Sequence, residues 1–184
     1  MARTSKKNLA LKAAYDLVEA GGVESVTYDS LAEATGMSKS GLIYHFPSRH
    51  ELLIALHTFA AENWEAELEK LAGGQPAGEL TTAERYHALT LSLGKNDPLA
   101  ELLLSIHAQQ HPDYSSVWQE VNERWSWNPA EDISYNGDLS LQIASMVGLG
   151  LWVHDHLNQT KLSENNRKQI LDRVLGMIAE ATRE

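Results

Sequence analysis

Apolar residues in this chain recur three and four positions apart along almost every long segment, and no segment reads convincingly as a strand. That is the spacing of one helix face, whereas a half-buried strand would alternate. The period commits the chain to an all-α fold of about nine helices, with 43% hydrophobic residues over 184 positions to build one or two real cores. Cysteine is absent, which excludes a disulfide framework, a thiolate zinc site, an iron–sulfur cluster and a cysteine nucleophile, and favours a reducing, cytoplasmic setting. The start, Met1-Ala2-Arg3-Thr4-Ser5-Lys6-Lys7, is basic but leads into a mixed, charged helix rather than an apolar signal core. The longest apolar stretch, Leu139 to Val153, is interrupted by Gln142, Ser145 and two glycines. It falls short of the ~20 residues a bilayer span needs, so a buried helix is expected there and no membrane partner.

Local stop and start signals divide the helices. Leu9, Ala13, Ala14, Leu17 and Val18 form the first stripe, which Gly21-Gly22 ends. Thr27 is placed to N-cap a short second helix to about Thr35, with Tyr28, Leu31 and Ala32 inward and Gly36 as its stop. Ser38 is placed to cap a third, Lys39 to Phe46, halted by Pro47. Ser48-Arg49-His50-Glu51 is a capping box, opening a long helix that ends before Gly73-Gly74. Residues Gly73 to Leu80 read as a loop, and Thr81 with Glu84 forms a second capping box for a helix ending near Gly94. Asp97, ahead of an N1 Pro98, predicts a capped helix from Leu99 to about Gln110, broken by His111-Pro112. A further helix is expected from Ser115 to Trp125, then a loop from Asn128 to Gly137, then long helices over about Asp138 to Asn158 and Ser163 to Thr182.

The formal net charge of −10 is unevenly spread. Up to His50 six basic residues (Arg3, Lys6, Lys7, Lys12, Lys39, Arg49) face five acidic ones, a charge of +1, and the remainder carries −11. A neutral-to-basic head on an acidic body can present one end to phosphate while the body repels it. Within that head, two short helices joined by Gly36-Met37-Ser38 have helix-turn-helix spacing. The leading end of the second, Ser38, Lys39, Ser40 and Gly41, is small or polar, suited to close approach and to donating hydroxyl and ammonium hydrogens. Tyr44 and His45 follow one turn later. An ordinary packed helix pair has the same outline.

The segment Leu9 to Leu56, and above all Val26-Thr27-Tyr28-Asp29-Ser30-Leu31-Ala32-Glu33-Ala34-Thr35-Gly36-Met37-Ser38-Lys39-Ser40-Gly41-Leu42-Ile43-Tyr44-His45-Phe46-Pro47-Ser48-Arg49, closely resembles the N-terminal DNA-binding domain of TetR-family transcriptional regulators. The resemblance implies a DNA-binding domain over residues 1–47 and an effector-binding and dimerisation domain over residues 48–184. It implies that Ser38, Lys39, Ser40, Gly41 and Ile43 line the major groove, that Thr27, Tyr44, His45 and Arg49 hold phosphates, and that an arm with Arg3, Lys6 and Lys7 reaches a neighbouring groove or phosphate. His50 receives no role. Leu42 and Phe46 read as packing residues.

The helix from Asp138 is apolar on nearly all sides, so one face should meet something beyond its own domain, with Ala144, Ser145, Gly148 and Gly150 permitting close approach. With the stripe Ile170, Leu171, Val174, Leu175, Ile178 and Ala181 of the last helix, two copies would build a four-helix homodimer interface, as is typical of the resembled family. A two-fold dimer matches a pseudopalindromic double-stranded DNA operator. By the same resemblance a small-molecule effector sits among Trp64, Tyr86, His107, His111, Trp118, Trp125 and Trp152, with His87, Gln110 and His154 nearby. Eight histidines raise metal sensing separately. Only His107 and His111, at i and i+4, are spaced to chelate together, and with no third ligand in view no metal is assigned. No cofactor is expected, and no enzyme. Ser92-x-x-Lys95 matches a penicillin-recognising pattern by letters alone, and no G-x-S-x-G, P-loop, H-E-x-x-H or dinucleotide fingerprint is present. The expected function is a ligand-responsive regulator, in repressor mode. The alternatives are a helix-turn-helix protein without an effector and a metal-responsive regulator.

Overall fold

The computed structural model describes residues 5–95, 98–125 and 139–181. Nine α-helices and no strand occur among them. The helices are α1 (Lys6–Gly21), α2 (Tyr28–Thr35), α3 (Lys39–His45), α4 (Arg49–Leu71), α5 (Thr82–Leu93), α6 (Leu99–Ala108), α7 (Pro112–Trp125), α8 (Ser140–Leu157) and α9 (Glu164–Ala181), with 3₁₀ turns at Val23–Ser25 and Ala77–Glu79. They collect into two units, Met1–Asn63 with Pro98–Gln119, and Trp64–Asp97 with Glu120–Glu184. This division by compactness differs from the division by function expected at residue 47, because α4 and α7 each contribute to both units.

In the first unit the helix ends follow local chemistry. Ser5 Oγ accepts the Asn8 N–H, Thr27 and Ser30 form a reciprocal capping box, and Ser38 Oγ accepts the Gly41 N–H at 3.1 Å. Glu51 Oε2 accepts the Ser48 N–H while Ser48 Oγ accepts the Glu51 N–H, both at 3.1 Å. Gly36 ends α2 at φ 67, a left-handed conformation that side chains disfavour. The core joins Ala14 and Val18 of α1, Leu31 of α2, Leu42 of α3, Leu52 and Leu56 of α4 and Leu104 of α6. Each fully buried leucine stabilises the unit by about 1.5–3 kcal/mol relative to exposure.

α6 begins at Leu99, the position expected from the sequence. Asp97 lies outside the described residues, and Pro98 occupies the N-cap position without a side-chain cap. The donor is satisfied from another helix: Glu19 Oε2 of α1 accepts the Ala100 N–H at 2.6 Å. α6 ends at Ala108 instead of continuing to Gln110, and α7 begins at Pro112 instead of Ser115. Proline suits a first helical position, where its missing N–H has no partner to lose.

The second unit is built on α5, α8 and α9, which pack against one another, with Tyr86, Ala144, Val174 and Ile178 as its buried cluster. Asp155 is held among donors: the Leu162 N–H and the His154 ring at its Oδ1, and Arg167 at its Oδ2 at 3.0 Å. These hydrogen bonds, the Leu162 backbone bond foremost, bring its carboxyl down to about 2. The other guanidinium nitrogen of Arg167 donates to the carbonyls of Gly94 and Leu151, joining α5, α8 and α9. Two small residues expected to face a second chain serve this packing instead. Ala144 is fully buried beside Tyr86, and the Gly148 α-carbon faces Leu93 closely enough that an added Cβ would lie 3.4 Å away. α8 and α9 run close to their expected spans, although Asp138, Thr182 and the loop from Asn128 to Gly137 lie outside the described residues.

Candidate nucleic-acid interface

The helix-turn-helix is fastened from behind. Leu42 of α3 and Phe46, which caps its C-terminal end, are buried, and the Tyr28 hydroxyl donates to the Phe46 carbonyl, locking the end of α3 onto the start of α2. Burial raises the Tyr28 phenol further above the range in which it would ionise. Anchoring α3 through Leu42 and Phe46 leaves its other face in solvent. Ile43 is 47% exposed and Tyr44 is 83% exposed, with Tyr44 set edge-on to His45 at 5.3 Å between ring centres. Ser38, Lys39 and Ser40 are exposed, and Gly41 and His45 are half-buried on the same short helix. The N-terminus of α3 adds partial positive charge to this face. Thr27 is exposed at the start of α2, its hydroxyl already engaged as the cap.

Two cations carry local partners. Lys39 pairs with Asp29 at 2.5 Å, both well exposed, a contact worth well under about 1 kcal/mol that phosphate can displace. Arg49 is more committed: it donates to the carbonyls of Val26 and Val23 and pairs with Glu24 at 3.0 Å. It therefore fastens the start of α4 to the turn before α2, and meeting a phosphate would require it to release Glu24. Sequence spacing carried no sign of this, since the partners lie 23 to 26 residues away. In the arm, Lys6 and Lys7 are exposed and the Lys7 ammonium stands 5.9 Å from the Phe46 ring centre, while Arg3 lies outside the described residues.

The seven residues expected around an effector are divided between the two units. His107, His111 and Trp118 belong to the first unit; Trp64, Tyr86, Trp125 and Trp152 belong to the second. Trp125 is fully buried and donates to Glu65 at 3.0 Å, beside a two-pronged Arg124–Glu65 pair that lowers the Glu65 carboxyl. Trp64 donates to Ser92, and Tyr86 is in the core. The Trp152 indole N–H is buried with no acceptor among the described residues. A cleft of about 470 Å³ in the second unit is lined by Leu71, Leu80, Ala83, His87, Leu175 and Ile178; of these only His87 was anticipated. Gln110 is exposed, and His154 is paired with Asp155.

The expected i, i+4 pairing of His107 with His111 is not formed, because α6 stops at Ala108 and His111 falls beyond it. His107 turns inward to His57, with 3.0 Å between His57 Nε2 and His107 Nδ1, and both rings stack on Tyr114. Trp118 donates its indole hydrogen to His57 Nδ1 at 3.0 Å. His57 was not singled out by the sequence, and no local pattern marks it. His111 instead lies beside His50, the residue given no role, and Asp113.

Comparison with known proteins gives the family. Residues 10–56 match a family described as bacterial regulatory proteins, tetR family, and residues 81–179 match the tetracyclin repressor-like C-terminal domain. The HTH-type transcriptional regulator RutR of Escherichia coli K12 is 31% identical over 100 residues, which is 54% of this chain and 46% of RutR. The chain thus matches about half the length of that relative. Among solved structures, a transcriptional regulator from Rhodococcus sp. Rha1 superposes with a TM-score of 0.69 at 14% identity, covering 96% of this chain and 97% of that one. The ketosteroid transcriptional regulator KstR2 of Mycobacterium tuberculosis gives 0.57 at 16% identity, covering 99% and 97%. These two likenesses show a shared fold. Because the C-terminal match alone spans more than half of the sequence, the chain belongs to the TetR family, a family of transcriptional regulators and not of enzymes.

Proposed function

We propose that the protein is a cytoplasmic, homodimeric repressor that binds a pseudopalindromic double-stranded operator through α3 and leaves it when a small organic effector binds. The observation that carries this is the solvent face of α3, where a tyrosine at 83% exposure and an isoleucine at 47% stand beside exposed Ser38, Lys39 and Ser40. Folding does not need these side chains outside, and a groove does. In this reading Ser38, Lys39, Ser40, Gly41 and Ile43 meet base edges, while Thr27, Tyr44, His45 and, once freed from Glu24, Arg49 meet phosphate.

Dimerisation is supported by α8, which leaves Leu139, Ile143, Met146, Leu149 and Leu157 between 44% and 75% exposed in the single chain. An apolar stripe of that length on one helix is suited to a second copy, and two heads then reach half-sites about 34–36 Å apart. An effector is supported by the membership of residues 81–179 in a repressor-like C-terminal family and by the buried Trp152 N–H, which has no acceptor among the described residues and which an acceptor on a ligand would satisfy. α4 is one continuous helix from Arg49 to Leu71, and any coupling between operator and effector binding is reciprocal.

The test is selection of bound fragments from the source genome by the purified protein, with Tyr44→Ala and Lys39→Ala as controls. A palindrome enriched by the native protein and lost with Tyr44→Ala is expected, with Lys39→Ala weakening binding and relaxing the base preference at the position it meets. Equal enrichment by both variants would overturn the contact assignment. No enrichment by protein stripped of small molecules would overturn the operator reading.

A further inference from the structure

His50 lies in the first turn of α4, His111 in the turn between α6 and α7, and Asp113 in the first turn of α7. His50 is more than 60 residues from the other two in sequence, yet one ligand atom from each of the three lies within 4.8 Å of the other two. We propose that His50, His111 and Asp113 bind a divalent first-row cation, with zinc as the representative ion.

The distances support a shared ion. Two ligands on a tetrahedral zinc, at bond lengths of about 2.0–2.1 Å, stand about 3.3 Å from each other. Here Asp113 Oδ2 is 2.9 Å from His50 Nε2 and 3.5 Å from His111 Nδ1. The donor set of two imidazoles and one carboxylate suits zinc, iron, cobalt or nickel better than calcium or magnesium, which take all-oxygen shells. All three side chains are between 41% and 52% exposed, so an ion has a path in and room for water at its remaining positions.

Tyr114 supplies the outer support such a site needs. Its oxygen lies 2.7 Å from His50 Nδ1 and its ring packs against both histidines, while the tyrosine itself is buried. Without an ion, the hydroxyl donates to Nδ1, and the hydrogen on Nε2 is donated to Asp113. With an ion, the His50 hydrogen moves to Nδ1 and is donated to the tyrosine oxygen, freeing Nε2 to coordinate. That is the usual arrangement in which the second ring nitrogen of a ligating histidine is held by an outer partner. His111 Nδ1 accepts the Asp113 N–H at 3.1 Å, a bond the ion would displace.

An ion here would tie the first turn of α4 to the first turn of α7, immediately after Arg49. Any effect on operator affinity rests on the DNA-binding reading above, whereas cation binding does not. The test uses full-length, tag-free protein, stripped by a chelator and titrated with Co²⁺ by visible absorption in the absence of DNA, then with Zn²⁺ in competition. The expected result is one cation per chain with a low-symmetry cobalt spectrum, displaced by zinc. Asp113→Asn and His111→Gln should abolish the spectrum while circular dichroism remains native. Tyr114→Phe, which keeps the packing and removes the hydroxyl, should weaken binding by about 10- to 100-fold. A colourless native titration, or one unchanged in Asp113→Asn and His111→Gln, would overturn the proposal and leave the operator reading standing.

Discussion

Trp118 decides the charge on His57. An indole nitrogen can only donate, so the His57 Nδ1 that it faces at 3.0 Å must carry a lone pair, and the ring's hydrogen on Nε2 is donated to His107 Nδ1. Both rings are therefore neutral in the folded chain. Burial, assisted by the neighbouring His107, brings His57 from 6.5 down to about 4, and burial lowers His107 as well. Between these values the unfolded chain binds more protons than the folded one, so stability rises with pH across that window. It is complete above about 6.5 and lost as the pH falls toward about 4, with a loss from His57 of up to about 3 kcal/mol. Urea denaturation at pH 7.5 and pH 5 should show this loss, and His57→Gln should flatten the pH dependence in part, leaving the contribution of His107. An unchanged slope in the variant would remove His57 from this role. The partners of His57 lie 50 and 61 residues away, which is why eight histidines could be counted in the sequence but not sorted into a buried pair and a solvent-facing group.

At the scale of elements, helix starts were legible wherever the cap and its donor lie within three residues. Thr27, Ser38, Ser48 with Glu51, and Thr81 with Glu84 all act where expected. At α6 the expected cap, Asp97, lies outside the described residues, and the Ala100 N–H is met by Glu19 from 81 residues away, which no local pattern shows. Gly94 was legible as a helix end, but its packing role was not. A Cβ at this position would lie 2.2 Å from a Leu171 methyl and 2.8 Å from the Thr90 carbonyl oxygen, so α9 sits close against α5 only because the side chain is absent. Gly94→Ala should destabilise the protein by about 1–3 kcal/mol through overpacking, read as a lower urea midpoint at constant slope. Adding Leu171→Ala in the same chain should recover part of that loss, and independent, additive effects would show that the two positions do not press on each other.

For the whole molecule, the proposed homodimer sets the measurable expectation. Ile143→Glu or Met146→Glu alters a side chain that is 45% or 66% exposed in the single chain. Either should leave helical content intact while sedimentation changes from dimer to monomer mass. A native protein that sediments as a monomer, or variants that remain dimeric, would overturn α8 as the interface. The sequence by itself determined the helical class, the helix-turn-helix with its caps and glycine stop, the family of that head, and the surplus of apolar residues on α8. All of these rest on interactions within a turn or two, or on a period that one helix displays alone. Tertiary structure decided which apolar and polar faces meet. It sent His107 inward to His57 and His111 outward to His50 and Asp113, gave Glu19 to α6, set Arg49 against Glu24, and used Ala144 and Gly148 within the chain. Each of those outcomes depends on segments distant in sequence converging in space, where the hydrogen bonds left open by one helix are closed by another.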